Sequence, residues 1–261
     1  MKKIASSEPN SRTQNSLKKK RIDQILVESN LVVSRKRAQA LIMAGKVIVN
    51  DQRVEKASQL YFPDKIDIRL KQKDHPYVSR GALKLEGAIK NLDIDVNGMV
   101  CLDIGSSTGG FTDYLLRSGA QRVYAFDCGT GQLHESLRSD PRVILHENFN
   151  VRFLKEKDIP EKIDLIVIDV SFISLKLIIP PIITSVPPPW KMLALIKPQF
   201  EAGKKDVSKG GIVRNAEIHL NVLNDLKGFF TSQNLEILAD LPATIQGTRG
   251  NQEYFLFSKT K

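Results

Sequence analysis

Three carboxylates stand at or near the ends of apolar stretches that have the composition of β-strands. Asp103 lies in the stretch from Met99 to Ile104, Asp127 ends a second stretch 24 residues further on, and Asp169 ends another. Because the carboxyl ends of parallel strands border the ligand crevice of an open sheet, we expect these side chains to line one cleft. A carboxylate at the spacing of Asp127 suits the two hydroxyl groups of a ribose. The pattern favours a nucleoside-binding site, against the alternative that each Asp only caps a loop.

A glycine-rich turn, from Gly105 to Gly110, connects the first of these stretches to a helical pattern that opens at Phe111. Glycines let the backbone approach a ligand, and the start of a helix offers free N–H groups. The turn has neither the Lys-Ser/Thr ending of a P-loop nor the G-x-G-x-x-G spacing of a dinucleotide site. Alone it fits any α/β protein. Together with the carboxylates it predicts that the cofactor-binding residues are Asp103, Gly105, Ser107, Thr108, Gly109, Phe111, Asp127 and Asp169.

The size and charge of the chain limit the possible functions. A chain of 261 residues suits one α/β domain with a small additional domain. The formal net charge of +10 favours a polyanionic partner, although an acidic membrane surface would attract the same charge. Residues 1–64 contain 13 Lys or Arg and 6 Asp or Glu, so the positive excess is concentrated near the N-terminus.

The cysteines and the apolar segments exclude several classes of protein. Cys101 and Cys128 are too few for a zinc site, and their expected positions in or beside buried strands fit the reduced thiols of a cytoplasmic protein. Residues 1–20 are polar and basic and do not form the apolar core of a signal peptide. The apolar run at 173–186 is interrupted by Lys176 and two prolines, so we expect no stable membrane insertion.

The elements that position the carboxylates alternate between strand and helix, which predicts a parallel sheet wound on both faces. We expect strands at 99–104, 122–127, 142–147, 164–169, 191–196, 235–241 and 253–258. Helices are expected at 109–118, 131–138, 174–184 and 215–231. The last two strands are close in sequence, which favours an antiparallel final strand. By analogy, seven strands that end in a hairpin are typical of the Rossmann-like S-adenosylmethionine-dependent methyltransferases.

A smaller unit precedes this α/β domain. Residues 1–19 have the composition of a disordered basic arm. From Arg21 a helical pattern runs to about Asn30, and a second helix begins after Ser34 as N-cap and closes at Gly45. Strands are expected at 47–49 and 65–70, with a turn at 50–51. The polar, proline-containing stretch 72–78 is the expected linker.

The segment RIDQILVESNLVVSRKRAQALIMAGKVIVNDQRVEKAS resembles the small S4-like RNA-binding module of pseudouridine synthases, tyrosyl-tRNA synthetases and a small-subunit ribosomal protein. The resemblance, assigned to residues 20–71, implies an α+β domain in which a helical hairpin packs on a short sheet. A basic helix face can bind phosphates without reading bases, whereas the alternative is an ordinary solvated face. The predicted RNA-binding residues are Arg21, Arg35, Lys36, Arg37, Lys46 and Arg80.

Residues 79–261 carry a second resemblance. The motifs are VSRGALKLEGA at 78–88, LDIGSSTGGFTD at 102–113, YAFDCGTGQLH at 124–134, IDVSFIS at 168–174, IKPQFE at 196–201, KGGIVRN at 209–215 and GNQEYF at 250–255. Together they are similar to the TlyA-type rRNA methyltransferases, historically labelled hemolysins, within the FtsJ-like 2'-O-methyltransferases. The resemblance implies S-adenosylmethionine as cofactor and a catalytic tetrad at Lys84, Asp169, Lys197 and Glu253.

The tetrad has a physical rationale. Methyl transfer needs a ribose hydroxyl that is oriented and relieved of its proton, and two lysines in one pocket repel each other, which favours a neutral amine on one of them. We assign Lys197 as the base or hydroxyl-orienting residue, and Lys84, Asp169 and Glu253 as its positioning residues. Taken singly, Lys84 and Lys197 could be surface charges, and Glu253 could pair with Arg249. No metal is expected.

The resemblance implies ribose 2'-O-methylation of a cytidine in 16S and/or 23S rRNA, with rRNA or a ribosomal subunit as partner in the cytoplasm. In that interpretation, Asp103 lies near the methionine ammonium of the cofactor and the Gly- and Lys-rich loop at 200–214 closes over RNA. The alternatives are a membrane-lytic hemolysin, which dye leakage from liposomes would detect, and a non-catalytic RNA-binding assembly factor, which cofactor titration would separate from an enzyme.

Overall fold

A computed structural model describes residues 18–71, 75–247 and 250–261. The chain divides between Pro76 and Tyr77 into two compact units, an N-terminal unit and a C-terminal unit. Most of the predicted basic arm and residues 72–74 of the predicted linker lie outside the described residues, and so does Arg249, the alternative partner of Glu253.

The N-terminal unit packs two helices against short strands. In chain order its elements are β1 (Lys20–Arg21), α1 (Ile22–Glu28), α2 (Arg35–Met43), β2 (Val47–Val49), β3 (Gln52–Arg53), β4 (Leu60–Tyr61) and β5 (Ile68–Leu70). Strand β2 pairs antiparallel with β3 and β5, and β1 pairs antiparallel with β4. Ile22, Leu26, Ile42 and Val47 form part of its own apolar core. The unit thus has the helical hairpin and the small sheet that the sequence predicts.

Local chemistry accounts for most of the boundaries in this unit. The hydroxyl of Ser34 accepts a hydrogen bond from the backbone N–H of Arg37 at 3.2 Å, which confirms the predicted N-cap of α2. Asn50 and Asp51 both have positive φ, as a tight hairpin turn between β2 and β3 requires. The strand predicted at 65–70 begins only at Ile68, because Pro63–Lys65 forms a 3₁₀ turn. The β1–β4 pair was not predicted.

The C-terminal unit alternates strands and helices. In chain order its elements are α3 (Gly81–Asn91), β6 (Val100–Ile104), α4 (Gly110–Arg117), β7 (Arg122–Phe126), α5 (Glu135–Arg138), β8 (Val143–His146), β9 (Leu165–Ile168), α6 (Ile179–Ser185), β10 (Lys191–Ile196), α7 (Pro198–Glu201), α8 (Ala216–Ser232), β11 (Leu235–Pro242) and β12 (Tyr254–Thr260).

These strands form a seven-stranded sheet in the order β11-β12-β10-β9-β6-β7-β8. Strands β6 to β10 run parallel to one another, whereas β12 inserts antiparallel between β10 and β11. The predicted Rossmann-like sheet with an antiparallel final strand is therefore confirmed. One buried cluster that includes Leu102, Ile166 and Phe230 covers one face, and a second that includes Leu115, Val167 and Phe255 covers the other.

Two predicted helices are shorter than the sequence pattern indicates. The helix expected at 131–138 begins at Glu135, because the preceding turn donates backbone N–H groups of Gln132 and Leu133 to the Glu147 carboxylate. The helix expected at 174–184 is divided into a 3₁₀ turn at Leu175–Leu177 and α6, where two prolines occupy the first turn.

Further expectations concern burial and membranes. Cys101 is buried in β6, and Cys128 lies beside the buried strand β7, two residues after its end, where it is exposed. Across the described ranges, every helix is too short or too polar to span a bilayer.

Candidate active site

The glycine-rich turn after β6 packs closely against the backbone at Asp169 and the side chain of Leu137. Gly105 has a φ of +85°, and a Cβ there would lie 2.5 Å from the backbone oxygen of Asp169. Gly109 has a φ of +95° at the N-cap of α4, where a Cβ would lie 2.3 Å from Leu137. Side chains at these two positions would both strain the backbone and collide with neighbours. The glycines are therefore required by the geometry of the turn.

Asp127, which follows β7, faces the same turn. Its Oδ2 accepts the backbone N–H of Ser107 at 2.7 Å, and its Oδ1 accepts the backbone N–H of Gly129 at 2.7 Å. A carboxylate oxygen can accept a second hydrogen bond, so both oxygens retain capacity for a diol such as the ribose hydroxyls. The two backbone bonds fix the carboxylate at the wall of the cleft.

Two adjoining cavities open beside the turn. The larger, about 380 Å³, has Asp127 and Ser107 together with an apolar wall that includes Phe126, Phe149 and Ile178. The smaller, about 160 Å³, is more polar. Its lining includes predicted residues of the turn, Gly105, Ser107, Thr108 and Phe111, and the predicted catalytic residues Asp169 and Lys197. Gly105, Ser107, Asp169 and Ser171 line both cavities, so these form one cleft at the carboxyl edge of the sheet.

Asp103 lies beneath this cleft rather than at its surface. The side chain has no exposed surface, and it is not among the described residues that line either cavity. Its Oδ2 accepts a hydrogen bond from the Thr112 hydroxyl at 2.6 Å, while its buried Oδ1 has no hydrogen-bond partner in the described part of the chain. Burial raises the pKa of the Asp103 carboxyl to about 7.

The four predicted tetrad residues form two ion pairs. The Lys197 Nζ lies 2.6 Å from Asp169 Oδ1, and the Lys84 Nζ lies 2.6 Å from Glu253 Oε2. Lys197 and Glu253 follow and precede the paired residues Ile196 and Tyr254, so the register of β10 with β12 brings them to the same end of the ladder. All four side chains are at most one-fifth exposed.

The two pairs differ in their relation to the cleft. Asp169 and Lys197 line the smaller cavity, whereas Lys84 and Glu253 are not among its lining residues in the described ranges. Lys84 extends from α3, and the backbone at Gly247 approaches Glu253 so closely that a Cβ would lie 2.1 Å from Oε1. One ion pair thus lies at the cleft wall, and the other is not part of the described lining.

Sequence reasoning missed two residues after β9. The Ser171 hydroxyl accepts a hydrogen bond from the Lys197 Nζ at 2.9 Å and lines both cavities. Phe172 lines the larger cavity although its side chain is 90% exposed, and it has a φ of +64°. Its ring lies 4.9 Å from that of Phe200. The available signal was their position two and three residues after Asp169, within the motif IDVSFIS.

The predicted RNA-binding residues differ in their exposure, in their ion pairing and in the unit to which they belong. In the N-terminal unit, Arg35 and Lys36 are exposed at the start of α2, and Arg37, Lys46 and Arg21 are partly buried. Arg21 and Arg35 are both ion-paired with the buried Asp23. Arg80 is exposed at the N-cap of α3 in the C-terminal unit.

The cleft fits S-adenosylmethionine on its own chemistry. The apolar wall suits an adenine ring, and the Asp127 carboxylate suits the ribose hydroxyls. The described residues contain no cluster of three or more His, Cys, Asp or Glu side chains that could hold a metal ion.

Comparisons with known proteins agree with this geometry. The model of the FtsJ-like methyltransferase family matches residues 77–260, and that of the S4 domain matches residues 20–61. The chain is 42% identical to YqxC of Bacillus subtilis, described as a candidate rRNA methyltransferase, over 92% of this chain and 85% of that protein. It is 37% identical to the 16S/23S rRNA (cytidine-2'-O)-methyltransferase TlyA of Mycobacterium tuberculosis, over 92% of this chain and 90% of that protein.

A solved structure from Streptococcus thermophilus, described as a candidate hemolysin, superposes with a TM-score of 0.73 at 38% identity and covers 94% of this chain and 90% of that one. These matches confirm the resemblance that the motifs predict. The chain therefore belongs to the FtsJ-like methyltransferase family, carries an S4 domain, and is an enzyme that depends on S-adenosylmethionine.

Proposed function

We propose that this enzyme methylates the 2'-hydroxyl of a ribose in rRNA, with a cytidine in 16S and/or 23S rRNA as the target and a ribosomal subunit in the cytoplasm as the partner. The observation that carries the proposal is the Lys197 ammonium, which is held by Asp169 and Ser171 at the wall of a cleft suited to a nucleoside. The TlyA relative that acts on 16S and 23S rRNA supports the choice of substrate.

The protein's own residues divide the work of the reaction. When bound, S-adenosylmethionine supplies an electrophilic methyl group on a sulfonium. As an ammonium, Lys197 orients the ribose hydroxyl and stabilises the negative charge that develops on its oxygen while the hydroxyl proton passes to water, and Asp169 and Ser171 hold the Lys197 Nζ in place. The Lys84–Glu253 pair, outside the described lining of the cleft, connects the first turn of α3 to the residue before β12. We therefore assign Lys197 as the catalytic residue and the other three tetrad members as positioning residues.

The aromatic pair at the rim supports a nucleic-acid substrate. Positive φ is rare for a bulky residue and is tolerated mainly where function requires it. Phe172 adopts this conformation and leaves most of its ring in solvent beside the cleft and beside Phe200. An exposed aromatic ring is a stacking surface for an unpaired base. We infer that Phe172 stacks on a base of the RNA substrate.

The proposal is tested with Lys197→Ala. We expect this variant to bind S-adenosylmethionine with unchanged affinity and to lose methylation by roughly 10²–10⁴-fold, since the orienting group is removed. The measurement is methyl transfer to ribosomal subunits from cells without this gene, with the modified ribose mapped on the rRNA. Cofactor affinity is measured by calorimetry.

The matched control is Lys191→Ala, which removes an exposed lysine at the opposite end of the same strand, β10. It should retain full activity. Wild-type activity in Lys197→Ala would eliminate the assigned role. Absence of methylation by the wild-type enzyme, together with dye leakage from liposomes, would instead favour the membrane-lytic alternative.

A further inference from the structure

Asp23, in the first turn of α1, is a buried carboxylate that gathers donors from three side chains. Its side chain has no exposed surface. Arg21 donates through Nε to Oδ1 at 3.0 Å and through Nη2 to Oδ2 at 3.1 Å. Arg35 donates to Oδ2 at 3.1 Å, and Gln39 donates to the same oxygen at 2.9 Å. These bonds, the Arg21 bond most strongly, hold the pKa of Asp23 well below its usual range.

The two arginines are only partly used by this contact. The side chain of Arg21 is 39% exposed and that of Arg35 is 49% exposed. A guanidinium has five N–H donors, and Arg35 uses one of them on Asp23. No described residue is hydrogen-bonded to the others. Asp23 therefore fixes the position of both guanidinium groups and leaves them accessible to an anion.

Stability of the helix does not explain this arrangement. Helix α2 begins with Arg35, Lys36 and Arg37, and its first turn contains no acidic residue. Positive charges at a helix N-terminus oppose the helix dipole. The chain thus places cations where they are locally unfavourable, and the carboxylate that partly compensates them comes from another helix. Such a local conflict is expected where a charge serves binding.

We propose that Asp23 is a positioning residue for RNA binding, which holds Arg21 and Arg35 as a guanidinium pair for the phosphate backbone of a folded RNA. The inference rests on the proposed function as an rRNA methyltransferase and deepens it. Phosphate contacts fix the register of a protein on its RNA, and guanidinium groups that are already oriented lose less conformational entropy when they bind.

The substitution Asp23→Asn separates this role from simple charge attraction, because the two predict opposite signs. It removes one negative charge, so attraction of the whole unit to a polyanion would become stronger. It also replaces one acceptor oxygen by an NH2 group, which cannot accept the second hydrogen bond of Arg21, and it removes the charge that holds both guanidinium groups. If Asp23 positions the pair, Asp23→Asn binds RNA about tenfold more weakly despite its higher net charge.

The probe is purified ribosomal subunits from cells without this gene, and binding is measured by co-sedimentation at fixed salt. The charge control is Asp51→Asn, which removes an exposed carboxylate of the same unit that pairs with Arg69. It should bind as tightly as the wild type or more tightly. Equal or tighter binding by a folded Asp23→Asn variant would overturn the proposal.

A second variant, Arg35→Lys, keeps the charge but loses the planar group that meets Asp23. Weaker binding than wild type is expected here too, and this variant alone decides if circular dichroism shows that Asp23→Asn does not fold. Unchanged binding by Arg35→Lys would then overturn the proposal.

Methylation rates separate this test from the proposed function. At saturating subunits Asp23→Asn should keep the wild-type kcat while its KM for subunits rises. A general structural defect would lower kcat as well, which would contradict a positioning role. A wild-type enzyme that does not methylate rRNA would refute the proposed function itself, whatever the binding of Asp23→Asn.

Discussion

At the scale of single residues, the buried Asp103 carboxyl, in the strand before the glycine-rich turn, makes the stability of the fold depend on pH. Burial raises its pKa to about 7, against about 4 for an exposed Asp. Between these two values the folded state holds a proton that the unfolded state has released. Stability from this group is therefore complete below pH 4 and is lost progressively as the pH rises towards 7.

We predict that Asp103→Asn flattens this dependence. In the wild type, ionisation of Asp103 lowers the free energy of unfolding by up to about 1.4 kcal/mol for each pH unit between roughly 4 and 7. The amide cannot titrate but can still accept a hydrogen bond from Thr112, which bonds the carboxyl now. The free energy of unfolding of both proteins is measured with urea from pH 5 to pH 8. In the difference between the two proteins, the contributions of all other titratable groups cancel. Parallel curves for the two proteins would show that Asp103 ionises normally.

The residues after β9 show where sequence reasoning ends. Asp127 and Asp169 were predictable because each directly follows a strand, and strand ends in a parallel sheet meet at one edge, whereas Lys197 was identified through the family resemblance. Ser171 and Phe172 were not, because their positions depend on a turn with positive φ that no periodic pattern encodes. The roles of Lys84 and Glu253 depended on family resemblance, since neither lines the described cavities.

At the scale of elements, two residues that we call the clamp, Asn251 and His219, hydrogen-bond to the loop that follows Lys197. Asn251 is 2% exposed; its Oδ1 accepts the backbone N–H of Val213 at 3.0 Å, and its Nδ2 donates to the backbone oxygen of Gly211 at 2.8 Å. His219 in α8 bonds the Val213 carbonyl through Nε2 at 3.0 Å. A carbonyl only accepts, so this nitrogen carries the proton. The His219 Nδ1 lies 3.2 Å from the Tyr254 hydroxyl. The loop is therefore hydrogen-bonded directly to Asn251 and, through His219, to Tyr254, and these two residues lie on either side of Glu253.

We predict that Asn251→Asp releases this loop. The substitution is isosteric, but it sets a carboxylate oxygen against the Gly211 carbonyl, and a lost buried hydrogen bond typically costs about 1–3 kcal/mol. Trypsin should then cleave faster after Lys205 and Lys209, which lie in the loop. Mass spectrometry of the digest identifies the sites. Asn234→Asp, at an exposed position after α8, is the control and should leave cleavage unchanged. The same rate in Asn251→Asp would mean that the clamp does not hold the loop.

The element boundaries were predictable where a local signal sets them. The hydroxyl of Ser34 caps α2, and the short connection between β11 and β12 favours the antiparallel pairing that is observed. Helix α5 was overestimated because the turn before it is held by Glu147, a tertiary contact that lies 15 residues from Gln132 in sequence. The prolines that begin α6 were recognised as a barrier to a membrane span but not as the start of a separate helix.

At the scale of the whole molecule, most of the excess positive charge lies in the region with the S4 domain and not in the catalytic unit. The net charge is +10, and residues 1–64 contain 13 basic against 6 acidic residues, so the region with the S4 domain carries most of the excess. The catalytic unit instead pairs the buried Lys197 and the partly buried Lys84 with carboxylates. Composition predicted a polyanionic partner, but it could not predict which cations are paired, because pairing is a property of the folded chain.

This distribution predicts how salt affects the binding of ribosomal subunits. Each phosphate neutralised by a protein cation releases a counterion, so the logarithm of the binding constant falls with the logarithm of salt concentration, by about 0.7–0.9 for each contact. Lys36 is exposed in the first turn of α2, and Lys90 is exposed in α3 and paired with Glu86. We expect Lys36→Ala to weaken binding and to reduce the slope by roughly one contact, whereas Lys90→Ala keeps the wild-type slope. Co-sedimentation over a series of potassium concentrations measures all three slopes. If Lys36→Ala and the wild type gave the same slope, Lys36 would not contact phosphate.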